Sequence, residues 1–345
     1  MARRAFIIGG TGQIGRAVAT KLLDDGWTVT LASRSLSAKP DELIDRGART
    51  VIMDRAEPGA LRRALDGGAD LLLDTIGYDA NDAMQLLEVQ GDIGQLATIS
   101  SASVYCDAQG RSLDEARSSG FPALPVPITE QQPVVPPGPK TYSTRKVAME
   151  RVLLDGAHIP ATVLRPCAIH GPHSRHPREW WFVKRLLDRR SHIPVAYEGA
   201  SRFQTSATVN IAALIAAITN CPITGALNAV DPDAPSVVEI GRTIMAAIGI
   251  HAALVDNADP GYPPRMGVSP WAVPKPFVLD DTAARAVGYE PVADYAGTVP
   301  GACRWLMGQP TQDWRSIFPV LASYPWNLFD YAAEDAWLGS RTAGY

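Results

Sequence analysis

Short apolar or β-branched runs alternate with stretches of helical period through the first half of the chain. The strand-like runs fall at 5–8, 28–32, 50–53, 70–74, 95–100 and 161–165, and periodic segments at 14–25, 59–66, 79–90 and 142–155 lie between them. This alternation predicts βαβ units and a parallel sheet. Thr28-Val29-Thr30-Leu31-Ala32 and Asp70-Leu71-Leu72-Leu73-Asp74 are apolar or β-branched almost throughout, as strands covered on both faces must be. Right-handed crossovers put the C-terminal ends of such strands on one rim, where a ligand is expected. At 107–140 the pattern lapses into Pro-rich chain, and a connection of that length predicts a lid over a site rather than neutral filler. Beyond 166 the text is mixed, with Pro clusters at 260–276 and a short helical stretch at 280–288. In the last stretch, 308–345, Trp314, Trp326 and Trp337 read as packing residues, with a dimer contact as the alternative. The expected organisation is α/β: a doubly wound, Rossmann-type parallel sheet over 1–166, to which 203–230 returns, a smaller interleaved substrate lobe from 167–202 and 231–307, and a tail at 308–345.

Composition narrows the class. The 345 residues are 46% hydrophobic and 20% charged, which fits a globular enzyme of one large domain or two lobes. The net charge of −4 offers no broad basic surface, so neither nucleic acid nor an anionic membrane is expected as partner. Met1-Ala2-Arg3-Arg4 imitates the basic start of a signal peptide, but the apolar run after it breaks at Gly9. No segment approaches the roughly 18 apolar residues of a membrane span. Cysteines at 106, 167, 221 and 303 form no Cys-x-x-Cys pair and suit a reducing compartment, so a cytoplasmic location is expected.

Two motifs carry chemistry. Phe6-Ile7-Ile8-Gly9-Gly10-Thr11-Gly12-Gln13-Ile14-Gly15 runs an apolar strand into glycines at 9, 12 and 15, followed by a helix-forming run. A turn without Cβ atoms lets backbone N–H groups and the helix dipole meet a pyrophosphate, and Gly15 permits close helix–sheet packing. The position of the glycines at a strand end gives the motif its weight. Further along, Tyr142 and Lys146 stand at i and i+4 on one helix face, so an ammonium can favour ionisation of a phenol whose free pKa is near 10. Upstream, the fifth strand ends in Ile99-Ser100-Ser101-Ala102-Ser103-Val104-Tyr105.

Together these motifs resemble the extended short-chain dehydrogenase/reductases, the group that includes nucleotide-sugar epimerases and dehydratases. The resemblance covers roughly residues 3–307 and includes Leu164-Arg165-Pro166-Cys167-Ala168-Ile169-His170-Gly171-Pro172 and Gly288-Tyr289-Glu290-Pro291. It implies that Tyr142 is the general acid/base, that Ser101 binds the same substrate oxygen, with Ser100 and Ser103 as alternatives, and that Lys146 holds the nicotinamide ribose. The implied cofactor set is Gly9, Thr11, Gly12, Gln13, Ile14, Gly15, Ser33, Arg34, Asp54, Arg55, Thr75 and Lys146. Tyr78, Ser103, His170 and Arg202 are the substrate candidates.

The second strand ends Leu31-Ala32-Ser33-Arg34-Ser35, with no carboxylate to grip a ribose 2′-OH, and a guanidinium suits a 2′-phosphate. NADP(H) is therefore favoured over NAD(H). Asn210 stands where the family has Asp, in a stretch opened by Arg202, which argues against a nucleotide sugar. His170, His173 and His176 lie on Pro-interrupted chain with no common face, so no metal is expected. The expected function is NADP(H)-linked hydride transfer at a carbonyl or alcohol carbon of a small molecule. The alternatives are a nucleotide-sugar epimerase or dehydratase retaining NAD(H), and a non-catalytic nucleotide-sensing or RNA-associated regulator. A homodimer through the helices at 79–90 and 142–155 is suggested by the resemblance.

Overall fold

The computed structural model describes residues 2–35, 40–256 and 265–342. The chain divides into two compact units. The first comprises Met1–Cys167, Thr208–Val230 and Leu279–Val292, and the second Ala168–Ala207, Asp231–Val278 and Ala293–Tyr345.

The first unit is built on seven parallel strands: β1 (Arg4–Ile8), β2 (Thr28–Ser33), β3 (Arg49–Ile52), β4 (Ala69–Asp74), β5 (Ile93–Ile99), β6 (Ala161–Pro166) and β7 (Gly225–Ala229). Their spatial order is β7-β6-β5-β4-β1-β2-β3, and every pairing is parallel. The order doubles back beside β1, the switch point at which doubly wound sheets bind ligands. Phe6, Ile7, Ile8 and Leu71 to Leu73 are all but inaccessible, because helices cover both faces. The helices that position the site are α1 (Gln13–Asp24), α2 (Ala80–Leu87), α3 (Tyr142–Gly156) and α4 (Thr208–Asn220).

The first six strands follow the apolar runs within a residue or two. The seventh has no such signal: Gly-Ala-Leu-Asn-Ala has low strand propensity, and tertiary contacts hold it instead. Asn228, fully buried, donates Nδ2 to the carbonyls of Ile128 (3.1 Å) and Asp280 (3.0 Å) and accepts the Tyr105 hydroxyl at 2.6 Å. Its backbone N–H, on the edge of the sheet, donates to the Glu130 carboxylate at 2.7 Å. Residues 279–292, expected in the substrate lobe, join the first unit. The Tyr289 hydroxyl donates to the Val230 carbonyl and the Val292 N–H to Asn210.

The Pro-rich connection is pinned at several points, which makes it a scaffold more than a lid. Asp107, buried, accepts the N–H groups of Gln109, Arg111 and Ala123 and the Arg111 guanidinium. Burial alone would raise its carboxyl, but these donors hold it far below the usual carboxylate range. The segment pairs Tyr105 with Val134, and Asp114 accepts the Ser143 N–H at the start of α3. Exposed residues are spread along it, at 108–110, 117–120, 125–127, 136–137 and 139–140 among others.

The second unit holds two short parallel strand pairs, Ala168–His170 with Thr205–Ala207 and His192–Val195 with Ala253–Asp256. Trp180, Phe182, Trp271, Tyr295 and Phe318 form its aromatic core. The tail enters that core through Trp314, Phe318, Leu321 and Leu328, and the buried Arg185 pairs with Glu334 at 2.7 Å while lying 3.9 Å over the Trp181 ring.

If Asn228 is the knot that ties β7 to the Pro-rich connection, Asn228→Ala leaves several buried groups unpaired. Thermal or urea unfolding should register a loss of about 2–4 kcal/mol; a change below 1 kcal/mol would refute the scaffold role.

Candidate active site

The glycine turn is dictated by contact. Gly9 adopts φ +76°, and a Cβ there would lie 2.4 Å from the Thr75 hydroxyl oxygen. A Cβ on Gly15 would lie 2.5 Å from the Gly9 carbonyl oxygen and 2.6 Å from the Gly10 Cα, so only glycine lets α1 approach the end of β1 this closely. Gly10 is equally constrained, against Leu31, and is absent from the expected cofactor set although it stands inside the motif. Gly12 caps α1 without a side chain, and the first turn contains no acidic residue. The first-turn N–H groups, those of Gln13 and Ile14 among them, therefore lack intrahelical acceptors and face no competing carboxylate. This cradle, which Cβ atoms would fill, fits a dinucleotide pyrophosphate. Thr75 uses its hydroxyl on the Ile8 carbonyl at 2.9 Å and so braces the turn.

The ends of β2 and β3 differ in what they leave free. Ser33 donates to the Ser35 carbonyl, while Arg34 stands exposed beside it. Asp54 is exposed and accepts the Ala56 N–H at 3.0 Å. Arg55, expected at the cofactor, is committed elsewhere: its guanidinium pairs with Asp74 at 2.8 Å and Asp82 at 3.1 Å and donates to Gln85. Buried Asp74 draws it in, and also accepts the N–H groups of Ile76 and Gly77 at 2.9 Å each. Asp74 was missed as a site-shaping residue. Its signal was a carboxylate closing an otherwise apolar strand.

Ser101, Tyr142 and Lys146 meet at the ends of β5 and α3. Thr141 caps α3 in a reciprocal box with Thr144, which makes Tyr142 the first helical residue. The Ser101 hydroxyl accepts the Ser103 N–H at 3.2 Å, and its side chain exerts a lowering pull on the Tyr142 phenol. The alternative serines are occupied, Ser100 by the Glu150 carboxylate at 2.5 Å and Ser103 by the Ser143 hydroxyl at 2.9 Å. Lys146 is 5% exposed; its Nζ donates to the carbonyls of Gly77 (2.5 Å) and Ile99 (2.9 Å) and lies 5.7 Å from the Tyr142 ring centre.

Electrostatics here depart from expectation. Burial pushes the Lys146 amine down to about 8, against the opposing pull of Asp74, Glu150 and Asp82. The Tyr142 phenol stands above its ordinary value, raised first by burial and further by Tyr78 and Asp114, against the lowering pull of the Ser101 side chain. The ammonium that was to lower the phenol spends its hydrogen bonds on two carbonyls, and desolvation prevails. Tyr78, half exposed, places its ring 5.9 Å from that of Tyr142, with the Arg145 guanidinium 5.5 Å over it.

In the second unit, His170 is not at a mouth. It is 1% exposed, with Nε2 2.9 Å from Asp231 and its ring 4.9 Å from that of Tyr295. Burial opposes its protonation, but Asp231 outweighs that and the imidazole is raised above its usual value. His173 lies against Trp305, while the His176 Nε2 is 3.1 Å from the Tyr324 hydroxyl, so the three histidines turn to three different neighbours. Arg202 pairs with Glu239 at 3.5 Å and donates to the Ala234 carbonyl.

A doubly wound parallel sheet, a glycine turn at its switch point and a Ser–Tyr–Lys group on the same rim define an NAD(P)-binding protein of the extended short-chain dehydrogenase/reductase type. The chain belongs to the NAD dependent epimerase/dehydratase family, which matches residues 5–204. Solved relatives share the fold. The dTDP-glucose 4,6-dehydratase of Bacillus anthracis, in complex with NAD, is 14% identical with a TM-score of 0.66, covering 93% of this chain and 100% of its own. The UDP-glucose 4-epimerase of Thermotoga maritima, with UDP-glucose, is 17% identical with a TM-score of 0.66, covering 88% and 98%. Among curated proteins, the chloroplast stem-loop binding protein of 41 kDa b from Arabidopsis thaliana is 27% identical over 208 residues, 57% of this chain. The chain spans half the length of that relative.

A methyl group at position 15 has no room. Gly15→Ala should weaken binding of the reduced nicotinamide dinucleotide by at least tenfold, roughly the 1.4 kcal/mol a displaced helix N-terminus would forfeit, as read by nicotinamide fluorescence. Unaltered affinity would remove the cradle from the cofactor site.

Proposed function

We propose that the protein is an NADP(H)-dependent oxidoreductase that interconverts a carbonyl and an alcohol on a small molecule. What supports this reading is the gathering of Ser101, Tyr142 and buried Lys146, whose Nζ lies 5.7 Å from the Tyr142 ring centre, on the rim that holds the glycine turn. When bound, the nicotinamide supplies or accepts the hydride. The backbone of residues 12–15 would hold the pyrophosphate, Lys146 the nicotinamide ribose and Arg34 the 2′-phosphate.

In the reductive direction the Tyr142 phenol donates its proton to the substrate oxygen as the carbonyl carbon gains hydride. Ser101 steadies the charge developing on that oxygen. At neutral pH the phenol carries the proton that this step transfers. Ser100 and Ser103 are engaged elsewhere, which favours Ser101 as the partner serine.

The epimerase or dehydratase alternative uses the same three residues and draws support from the family and from relatives named for those activities. It predicts NAD(H) that survives purification, together with a sugar-nucleotide substrate. The exposed Arg34 at the end of β2 favours the NADP(H) reading. Mass analysis of the ligand released from purified protein separates the two.

For the cofactor, fluorescence titration should show NADPH binding at least tenfold more tightly than NADH, with Arg34→Asp reversing the order, since a charge-assisted contact supplies about 1.5–3 kcal/mol. Preference for NADH would overturn this choice. For the chemistry, reduction of 9,10-phenanthrenequinone, a general carbonyl probe, should fall by about 10²–10⁴-fold in Tyr142→Phe with NADPH affinity unchanged. Undiminished turnover would displace Tyr142 from its role.

A further inference from the structure

Tyr142, Lys146 and Glu150 follow at four-residue spacing along α3, and so lie on one helix face. Glu150 has no part in the chemistry above, yet it is among the most completely coordinated side chains of the first unit. It is 2% exposed, and its carboxylate accepts the Ser100 hydroxyl (2.5 Å) and two guanidinium nitrogens of Arg165 (3.1 and 2.6 Å). Arg165 comes from the end of β6 and also reaches the Tyr105 hydroxyl at 3.3 Å, which donates to Asn228 on β7. One carboxylate thus joins α3 to β5 and β6, and through Tyr105 to β7.

Two links run from this carboxylate to the site. Ser100 is the chain neighbour of Ser101, so the Ser100–Glu150 bond fixes the strand end that presents Ser101 to the helix that presents Tyr142. Glu150 also acts electrostatically on Lys146, as do Asp74 from β4 and Asp82 from α2. Of these, Asp74 and Asp82 share Arg55, while Glu150 is bound to Arg165. The Tyr142 ring is the remaining aromatic group facing the ammonium.

We propose that Glu150 is a positioning residue for the Ser101–Tyr142–Lys146 group: through Ser100 it sets Ser101 against Tyr142, and it contributes negative charge facing the Lys146 ammonium. The proposal rests on the reading of Tyr142 as the proton donor. A purely structural glutamate would alter stability and nothing else.

Two variants separate these roles from folding. Ser100→Ala cuts the strand link and leaves the Glu150–Arg165 pair intact. The double variant Glu150→Gln with Arg165→Met removes both charges, so that neither is left buried alone. In Ser100→Ala, kcat for phenanthrenequinone should fall roughly tenfold, the scale of a sub-ångström misplacement, with the NADPH Kd and Tm little changed. In the double variant, NMR titration of the Lys146 side chain, which needs no substrate, should show its midpoint displaced below that of the wild-type protein by about one pH unit, a tenfold change in the ammonium-to-amine ratio. Wild-type kcat in Ser100→Ala, or an unmoved Lys146 midpoint, overturns the proposal. If Tyr142→Phe is inactive in the same assay, only the positioning role has failed; if Tyr142→Phe is fully active, the underlying reading falls with it.

Discussion

The rim of the first unit is organised around the cost of burying an ammonium. Lys146 lies almost wholly out of water, and an isolated cation there would simply lose its proton. Three carboxylates oppose that loss, Asp74, Asp82 and Glu150. Those carboxylates would repel one another without Arg55 and Arg165, so three anions and three cations form one balanced, mostly buried group. Removing any member leaves an uncompensated charge, which costs more than the pair itself contributes. Arg55 is thus a structural counter-ion despite its place at the end of β3, where a cofactor contact was expected.

The balance is incomplete, and the remainder sets the chemistry. Desolvation still brings Lys146 down to about 8 and raises the Tyr142 phenol. The pair therefore rests as ammonium and neutral phenol at pH 7, not as the phenolate that helical spacing alone suggested. Carbonyl groups at Gly77 and Ile99 hold the ammonium in place without changing its charge, which leaves its third proton for a ligand hydroxyl.

What the sequence disclosed follows from the range of the forces involved. Local periodicity located six of the seven strands, because each carries its own apolar run. Glycine spacing located the turn, because the contacts that exclude a Cβ lie within a few residues of one another. β7 escaped notice because Asn228 draws its stability from Ile128, Asp280, Tyr105 and Glu130, all distant in the chain. Asp74 and Glu150 escaped for the same reason: nothing near either names the arginine that will neutralise it. The Pro-rich connection looked like a lid, since composition reveals an absence of helix and strand but not the Asp107, Asp114 and Glu130 contacts that fasten it.

Magnitudes also decide which arginines a ligand can recruit. Recruiting Arg55 would leave Asp74 buried and unpaired, a cost of about 3–5 kcal/mol. Arg202 and Glu239 are 46% and 52% exposed as side chains, and such a pair contributes about 0–1 kcal/mol, so Arg202 can exchange partners cheaply even though it is occupied. Arg34 stands exposed at the end of β2 and needs no exchange at all. In the first unit, the amides at the start of α1 and Arg34 are therefore the groups an anion could engage without breaking a buried pair. Redirecting Arg34 costs the fold little, whereas opening the Arg55–Asp74 pair would strand a buried carboxylate.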